Sequence, residues 1–323
     1  MICTSDRPVV LYHAVSSYQL LEVLLHRLLY NPRAKAVLIL PDFIMQKYPR
    51  YKRLRRFFER VILFPYLHIP HIDEAGIFAA VERKADEMLP LPLEDFSAVY
   101  MAGAHFYFSL ILIRRQVPFY FFEDAAGMYS RGTELYENLA KGYPLHAAIA
   151  QQYGLFDGSQ PLIRQIICLK EAQTLPVSGD RFADFSVERA LEGLSGRQRR
   201  RVVRFFLRRK IRTRAEAILL TQQLARLGCM SWEQQTDLYR EYARGPLQGV
   251  RLLIKKHPDD TLDYTDIFPG AEQIRSVFPA ELLPYVFVGA RPSHIYTFTS
   301  TGCENLKEHF IIHRLGGKEH AGA

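Results

Sequence analysis

Short apolar runs alternate with longer amphipathic stretches along most of this chain. Residues 8–12 (PVVLY) are almost wholly apolar and predict a buried first strand. A loop over 13–17 (HAVSS) leads into leucines at helical spacing, Leu20, Leu21, Leu24, Leu25 and Leu28, which predict a helix over 18–30. The alternation continues with strands at 36–40 (AVLIL), 61–64 (VILF), 98–101 and 119–122 (FYFF). Helices are predicted between them over 43–60, 77–88 and 105–116. From 130 to 160 the pattern is mixed, with helical signals over 134–141 and 145–153. After a charged stretch at 196–214 the alternation resumes, with strands at 217–221 (AILLT), 250–255 (VRLLIK), 286–288 and 295–298. Helices are expected over 231–243 and 306–315, before a small polar tail at 316–323. Strands that alternate with helices imply parallel sheets covered on both faces. Two such α/β units, joined near residues 200–215, are the simplest architecture. Ligands of such sheets bind in the crevice at the carboxyl ends of the strands.

Composition supports a folded chain of this kind. Of 323 residues 48% are hydrophobic and 24% charged, unlike a disordered or collagen-like protein. The charge balance, 42 − 34 = +8, fits an anionic partner such as a phosphate-bearing substrate, nucleic acid or an acidic membrane face. No run of about 18 apolar residues predicts a membrane span. The first residues lack the pattern of a secretory leader, so a cytoplasmic protein is expected. Cys3, Cys168, Cys229 and Cys303 are far apart and form no CxxC, so the spacing suggests neither a zinc knuckle nor a disulfide framework. The chain has no P-loop, no GxSxG elbow and no HExxH, and nothing in it calls for a metal.

Four segments could carry chemistry. In the first, an aromatic strand delivers Glu123 and Asp124 to its carboxyl end, with Ala125, Ala126 and Gly127 behind them. A carboxylate beside an apolar wall can serve as a general base, though Asp124 could equally cap a helix. In the second, a strand ends in Lys255, Lys256, His257 and Pro258. Pro258 holds His257 extended, and an imidazole among ammonium groups suits a phosphate or a leaving-group charge. The bland alternative is a polar turn with both lysines in water. In the third, Thr299, Ser300 and Thr301 lie between a strand and a predicted helix, where they could bind phosphate or simply cap that helix. The fourth is basic: ten Lys or Arg residues lie from Arg197 to Arg214, interleaved with Val202, Val203, Phe205, Phe206 and Leu207. Residues 50–60 (RYKRLRRFFER) repeat the style. Such helices can lie on anionic membranes; a solvated face and a nucleic-acid surface are the other readings.

Taken together, these segments resemble the bacterial sialyltransferases, most closely the lipooligosaccharide sialyltransferases of glycosyltransferase family 52 and the related polysialyltransferases. The resemblance rests on Glu123-Asp124 with Gly127 and Tyr129, on His257-Pro258, and on Thr299, Ser300 and Thr301. The 278–283 segment (FPAELL) and 219–222 (LLTQ) are also similar. Ala125 departs from the pattern, standing where the family has glycine.

The resemblance implies an α/β fold of GT-B type: two Rossmann-like domains facing a cleft, with no essential metal or other cofactor. It implies an acceptor-side domain at 1–205, a nucleotide-sugar domain at 206–305, and a closing helix and tail at 306–323. The implied reaction is inverting transfer of sialic acid from CMP-sialic acid to a bacterial surface glycan or glycolipid, lipooligosaccharide or capsule. Asp124 would be the base, with Glu123 in reserve, and His257 would assist departure of CMP. Lys256, Pro258, Glu281, Thr299, Ser300 and Thr301 would hold the donor. The other readings are the same fold with another activated donor, hexose or polyol-phosphate, or a non-enzymatic anion-binding protein. The expected location is the cytoplasm, with peripheral contact to an anionic membrane through the 197–214 arginines; a nucleic-acid partner is not expected.

Overall fold

The computed structural model describes residues 7–70, 72–103, 107–124, 126–173, 179–298 and 300–316, with Thr301 in its backbone alone. The chain divides into two compact units, Met1–Phe205 and Phe206–Ala323.

The first unit is built on seven parallel strands: β1 (Val9–His13), β2 (Lys35–Pro41), β3 (Arg60–Phe64), β4 (Ala98–Ala102), β5 (Phe119–Phe122), β6 (Ile163–Cys168) and β7 (Phe182–Asp184). Their spatial order is β3-β2-β1-β4-β5-β6-β7, a Rossmann-type sheet whose order reverses between β1 and β4. Helices α1 (Ser17–Leu29), α2 (Ile44–Lys47), α3 (Glu74–Met88), α4 (Phe108–Arg114), α5 (Gly132–Gly142), α6 (Pro144–Gln152), α7 (Val187–Gly193) and α8 (Gly196–Phe206) connect or follow the strands. α1 starts at a capping box: Gln19 N–H donates to Ser16 Oγ, and Gln19 Oε1 accepts the Ser16 N–H. Leu20, Leu21, Leu24 and Leu25 then point into the core and are fully buried.

The second unit has five parallel strands: β8 (Ala217–Leu220), β9 (Leu252–Lys255), β10 (Glu272–Gln273), β11 (His294–Thr297) and β12 (Ile311–Arg314). Their order is β10-β9-β8-β11-β12, reversing between β8 and β11. Its helices are α9 (Trp232–Arg244), capped by Ser231, and the short α10 (Leu283–Val286).

Several expected elements differ. The helix over 43–60 is broken into α2 and a 3-10 turn at Tyr51–Arg56. Pro49 lies between them and holds Tyr48 out of helical geometry. The strand at 286–288 is absent: Pro284 starts α10, and Phe287 makes only an isolated bridge to Ile211. The closing helix over 306–315 is instead a 3-10 turn, Thr301–Leu306, followed by β12. Ile311 and Ile312 are β-branched and suit the open edge of β11, where Ile311 N–H donates to Ser293 O at 2.9 Å. The His313 ring stacks on Tyr296 of the neighbouring strand at 4.4 Å. β6, β7 and α7 occupy a stretch where apolar periodicity alone marked no element. The predicted helix start at His105 lies outside the described residues. No helix among the described residues is long and apolar enough to cross a membrane.

Candidate functional site

Each sheet presents polar residues at the carboxyl ends of its strands, around the point where strand order reverses. This is the place in open α/β sheets where ligands bind.

In the first unit, His13 ends β1 and is fully buried. Its Nδ1–H donates to Ala102 O at the end of β4 (2.8 Å), and its Nε2 accepts from the Tyr66 hydroxyl (2.7 Å). Gly103 follows β4 with φ of 75°, and a Cβ there would lie 2.7 Å from Val15 Cγ2 and 3.1 Å from the Gln19 amide. Glycine is therefore needed to let the start of α1 close over this strand end.

The acidic pair stands at the end of β5, as its position in the chain suggested, but its two members differ. Glu123 is fully buried. Its carboxylate accepts from Leu169 N–H (2.6 Å), Gln173 Nε2 (2.9 Å) and Gly127 N–H (3.2 Å). Burial pushes its carboxyl up to about 7, with these donors pulling the other way. Glu123 thus ties the loop after β5 to the loop after β6. Asp124 is half-buried, and Gln19 Nε2 donates to its Oδ1. It caps no helix; the next 3-10 turn, Met128–Arg131, starts from Gly127 with no side-chain cap. Gly127 has φ of 80°, and a Cβ there would lie 2.8 Å from Ala172 O. The Tyr129 hydroxyl is buried without a hydrogen-bond partner. Ala125 lies outside the described residues.

In the second unit, Thr221 follows β8, the 255–260 segment continues from β9, and the 297–305 segment continues from β11. Lys255 is buried, its Nζ 5.0 Å from the centre of the Phe278 ring. Burial pulls its ammonium down to about 8, opposed by the charge of Glu281. Glu281 is buried too, and burial pushes it up to about 7, opposed by its own backbone hydrogen bond and by Lys255. The turn is therefore not one of two solvated lysines. Lys256 is half-buried and occupied: its Nζ donates to Leu262 O at 2.6 Å and lies over the Tyr264 ring. Pro258 is half-buried beside it.

His257 is held by its neighbours. Its backbone N–H donates to Thr221 Oγ1 (3.2 Å), and its ring Nδ1 accepts the Asp259 N–H (3.1 Å). An Nδ1 that accepts leaves the neutral ring with its proton on Nε2, so the ring presents a donor. Asp260, buried, anchors the turn by accepting from Thr221 Oγ1 and from the Tyr264 hydroxyl.

After β11, Ser300 N–H donates to Thr297 Oγ1 at 3.3 Å, and the Ser300 side chain does not cap the following 3-10 turn. A Cβ at Gly302 would lie 3.5 Å from both Ser300 Oγ and Glu281 Oε1, so both side chains flank this glycine. The Asn305 side chain is buried, and neither its oxygen nor its nitrogen finds a partner. Thr299 and the Thr301 side chain lie outside what the structure describes.

Three solved structures share this fold at low sequence identity. Staphylococcus aureus MnaA, in a complex with UDP, is 10% identical, with a TM-score of 0.56 over 95% of this chain and 79% of that one. A putative UDP-N-acetylglucosamine 2-epimerase from Listeria monocytogenes is 10% identical, with a TM-score of 0.53 over 92% and 76%. The glycotransferase of kitacinnamycin is 12% identical, with a TM-score of 0.51 over 96% and 87%. The fold is of GT-B type. No protein-family model matches the sequence, and no curated protein matches it.

The structure therefore places Lys255, His257, Glu281 and Ser300 around the strand ends of the second sheet, and Glu123 and Asp124 at the end of β5 in the first. His13, Gln19, Asp260 and Asn305 have positions that residue-type reasoning did not assign. Ser16-x-x-Gln19 was a visible capping-box signal for one of them. Among the described residues, no three His, Cys, Asp or Glu side chains are placed to hold a metal ion.

Proposed function

We propose that the protein is an inverting glycosyltransferase that moves sialic acid from CMP-sialic acid to a hydroxyl of a bacterial surface glycan. One observation carries the reading: at the strand ends of the second sheet, a ring whose proton is directed to Nε2 stands two residues from a buried ammonium. Such a pair suits a departing nucleotide phosphate. In the step, the acceptor oxygen bonds to the anomeric carbon while the bond from that carbon to the phosphate oxygen breaks. The electron pair leaves with CMP, where the His257 Nε2–H and Lys255 meet the new charge. The hydroxyl proton passes to Asp124, the accessible member of the acidic pair, oriented by Gln19. Glu123, buried and bonded to Leu169, Gln173 and Gly127, holds the loop that carries Asp124 and does not meet substrate. Ser300 and Glu281 hold the donor's phosphate and sugar hydroxyls. The choice of CMP-sialic acid comes from the motif resemblance. A second reading keeps the same chemistry with a uridine-linked donor, because MnaA carries UDP on this fold.

Thermal unfolding with CMP, UDP, GDP and CDP tests the donor, since a ligand bound only by the native state raises the midpoint. CMP is expected to raise it, and His257→Ala to abolish that rise. A rise with UDP alone transfers the proposal to the second reading. With CMP-sialic acid as donor, Asp124→Asn is expected to lower turnover by about 100-fold or more. Near-normal turnover in that variant would remove Asp124 from its role.

A further inference from the structure

The arginine-rich segment has no part in that chemistry, and the structure changes its meaning. Val202, Val203, Phe205 and Phe206 of α8 are all buried against the protein. The interleaved aromatics are thus spent on the core, and α8 offers no apolar face to lipid hydrocarbon. What remains outside is a row of guanidinium groups.

Part of that row closes a cavity within the first unit. Arg201, Arg204 and Phe205 of α8 face Arg53, Arg56 and Phe57 from the 3-10 turn after α2, enclosing about 290 Å³. Phe57 and Phe205 are buried and form an apolar floor. Arg201 is held in place: its guanidinium lies 5.2 Å over the Phe57 ring, and its Nη2 donates to Arg56 O at 3.0 Å. No carboxylate lines the cavity. Among the described residues none of its four arginines is paired with an acid. Elsewhere Arg115 pairs with Glu82 and Asp86, Arg189 with Asp184, and Arg251 with Glu216. Four cations gathered in one concavity repel one another unless an anion joins them. Guanidinium forks match phosphate oxygens two at a time.

We propose that this cavity is a binding site for a phosphomonoester or pyrophosphate group, gripped by Arg53, Arg56, Arg201 and Arg204. The group could belong to a lipid headgroup at a membrane surface or to a soluble phosphorylated molecule. The site is independent of the transferase reading, since every residue in it lies in the first unit and none belongs to either strand-end cluster.

The test is calorimetric titration of the full chain with inorganic pyrophosphate, alongside flotation with phosphatidylcholine vesicles with and without phosphatidic acid. Saturable pyrophosphate binding is expected, weakened by about tenfold or more in the double variant Arg53→Gln/Arg204→Gln. Both positions are exposed, and an unchanged unfolding midpoint with unchanged nucleotide stabilisation shows that the variant is folded. Flotation with phosphatidic acid alone, reversed by pyrophosphate, assigns the lipid source; pyrophosphate binding without flotation assigns the soluble one. Absence of saturable binding, or equal binding by the double variant, overturns the proposal. So does full affinity in Arg201→Lys/Arg204→Lys, because diffuse charge would then suffice without forks. Single-stranded RNA that binds and is not displaced by pyrophosphate also counts against it.

Discussion

Two adjacent carboxylates, Glu123 and Asp124, do different work because their surroundings differ. Glu123 satisfies three donors from two loops while buried; its removal leaves Leu169 N–H and Gly127 N–H unmatched, while the Gln173 amide keeps Leu169 O. Glu123→Ala is expected to cost at least about 2 kcal/mol of stability, since each stranded buried donor costs about 1–3 kcal/mol. Asp124→Ala should cost less than about 1.5 kcal/mol, because Asp124 is half-buried and its loss takes one acceptor from the Gln19 amide. Denaturant titration of the two variants reads the contrast directly, and equal losses would refute the division of roles. The sequence announced that a carboxylate pair ends an aromatic strand. It could not say which member would be enclosed, because the enclosing donors come from residues 46 and 50 positions away. The same holds for Lys255 and Lys256, neighbours of one type: strand burial takes the first, and the carbonyl of Leu262 takes the second.

At the level of elements, the hydrophobic pattern located most strands, since buried parallel strands read as continuous apolar runs. It failed where the deciding contact was distant. Residues 306–315 have helix-like spacing, yet β11 presents an unpaired edge that 311–314 complete. This assignment makes a directional prediction about proline. In β12 the Ile311 N–H bonds to Ser293 O, while the Ile312 N–H points away from β11, towards the open side of the sheet. Ile311→Pro should therefore cost about 3 kcal/mol and Ile312→Pro only about 1 kcal/mol, read from unfolding midpoints. A helix there would suffer about equally from both. For residues 43–60 the deciding signal is local: Pro49 lies within the predicted helix.

For the whole molecule, the buried ionisable groups give stability an uneven dependence on pH. Glu281 is held up to about 7 against an ordinary 4.5, so between those values the folded chain keeps a proton that the unfolded chain has lost. Its contribution therefore falls as pH rises through that window, by up to about 3 kcal/mol, and is constant above it. Lys255, pulled down to about 8 from 10.5, works the other way: the unfolded chain binds the extra proton, and stability recovers as pH rises from 8 to 10.5. His26, buried beside Tyr12 and lowered to about 3 by burial, opposes Glu281 below pH 6.5. Comparing variants removes that background. The midpoint of Glu281→Gln minus that of the unaltered chain should rise steadily from pH 5 to pH 7. A flat difference would mean that Glu281 titrates as it does in water.

Strand order also bears on how the chain can fold as it is made. In both sheets the first strand synthesised is an interior one: β1 in the first unit and β8 in the second. Every later strand then joins an edge that already exists, β2 and β3 outward on one side, β4 to β7 on the other, and likewise around β8. No strand has to wedge between two that have already paired. A chain leaving the ribosome can thus lengthen each sheet in the order of translation. The first unit can close once Phe205 has emerged, while the second is still being made.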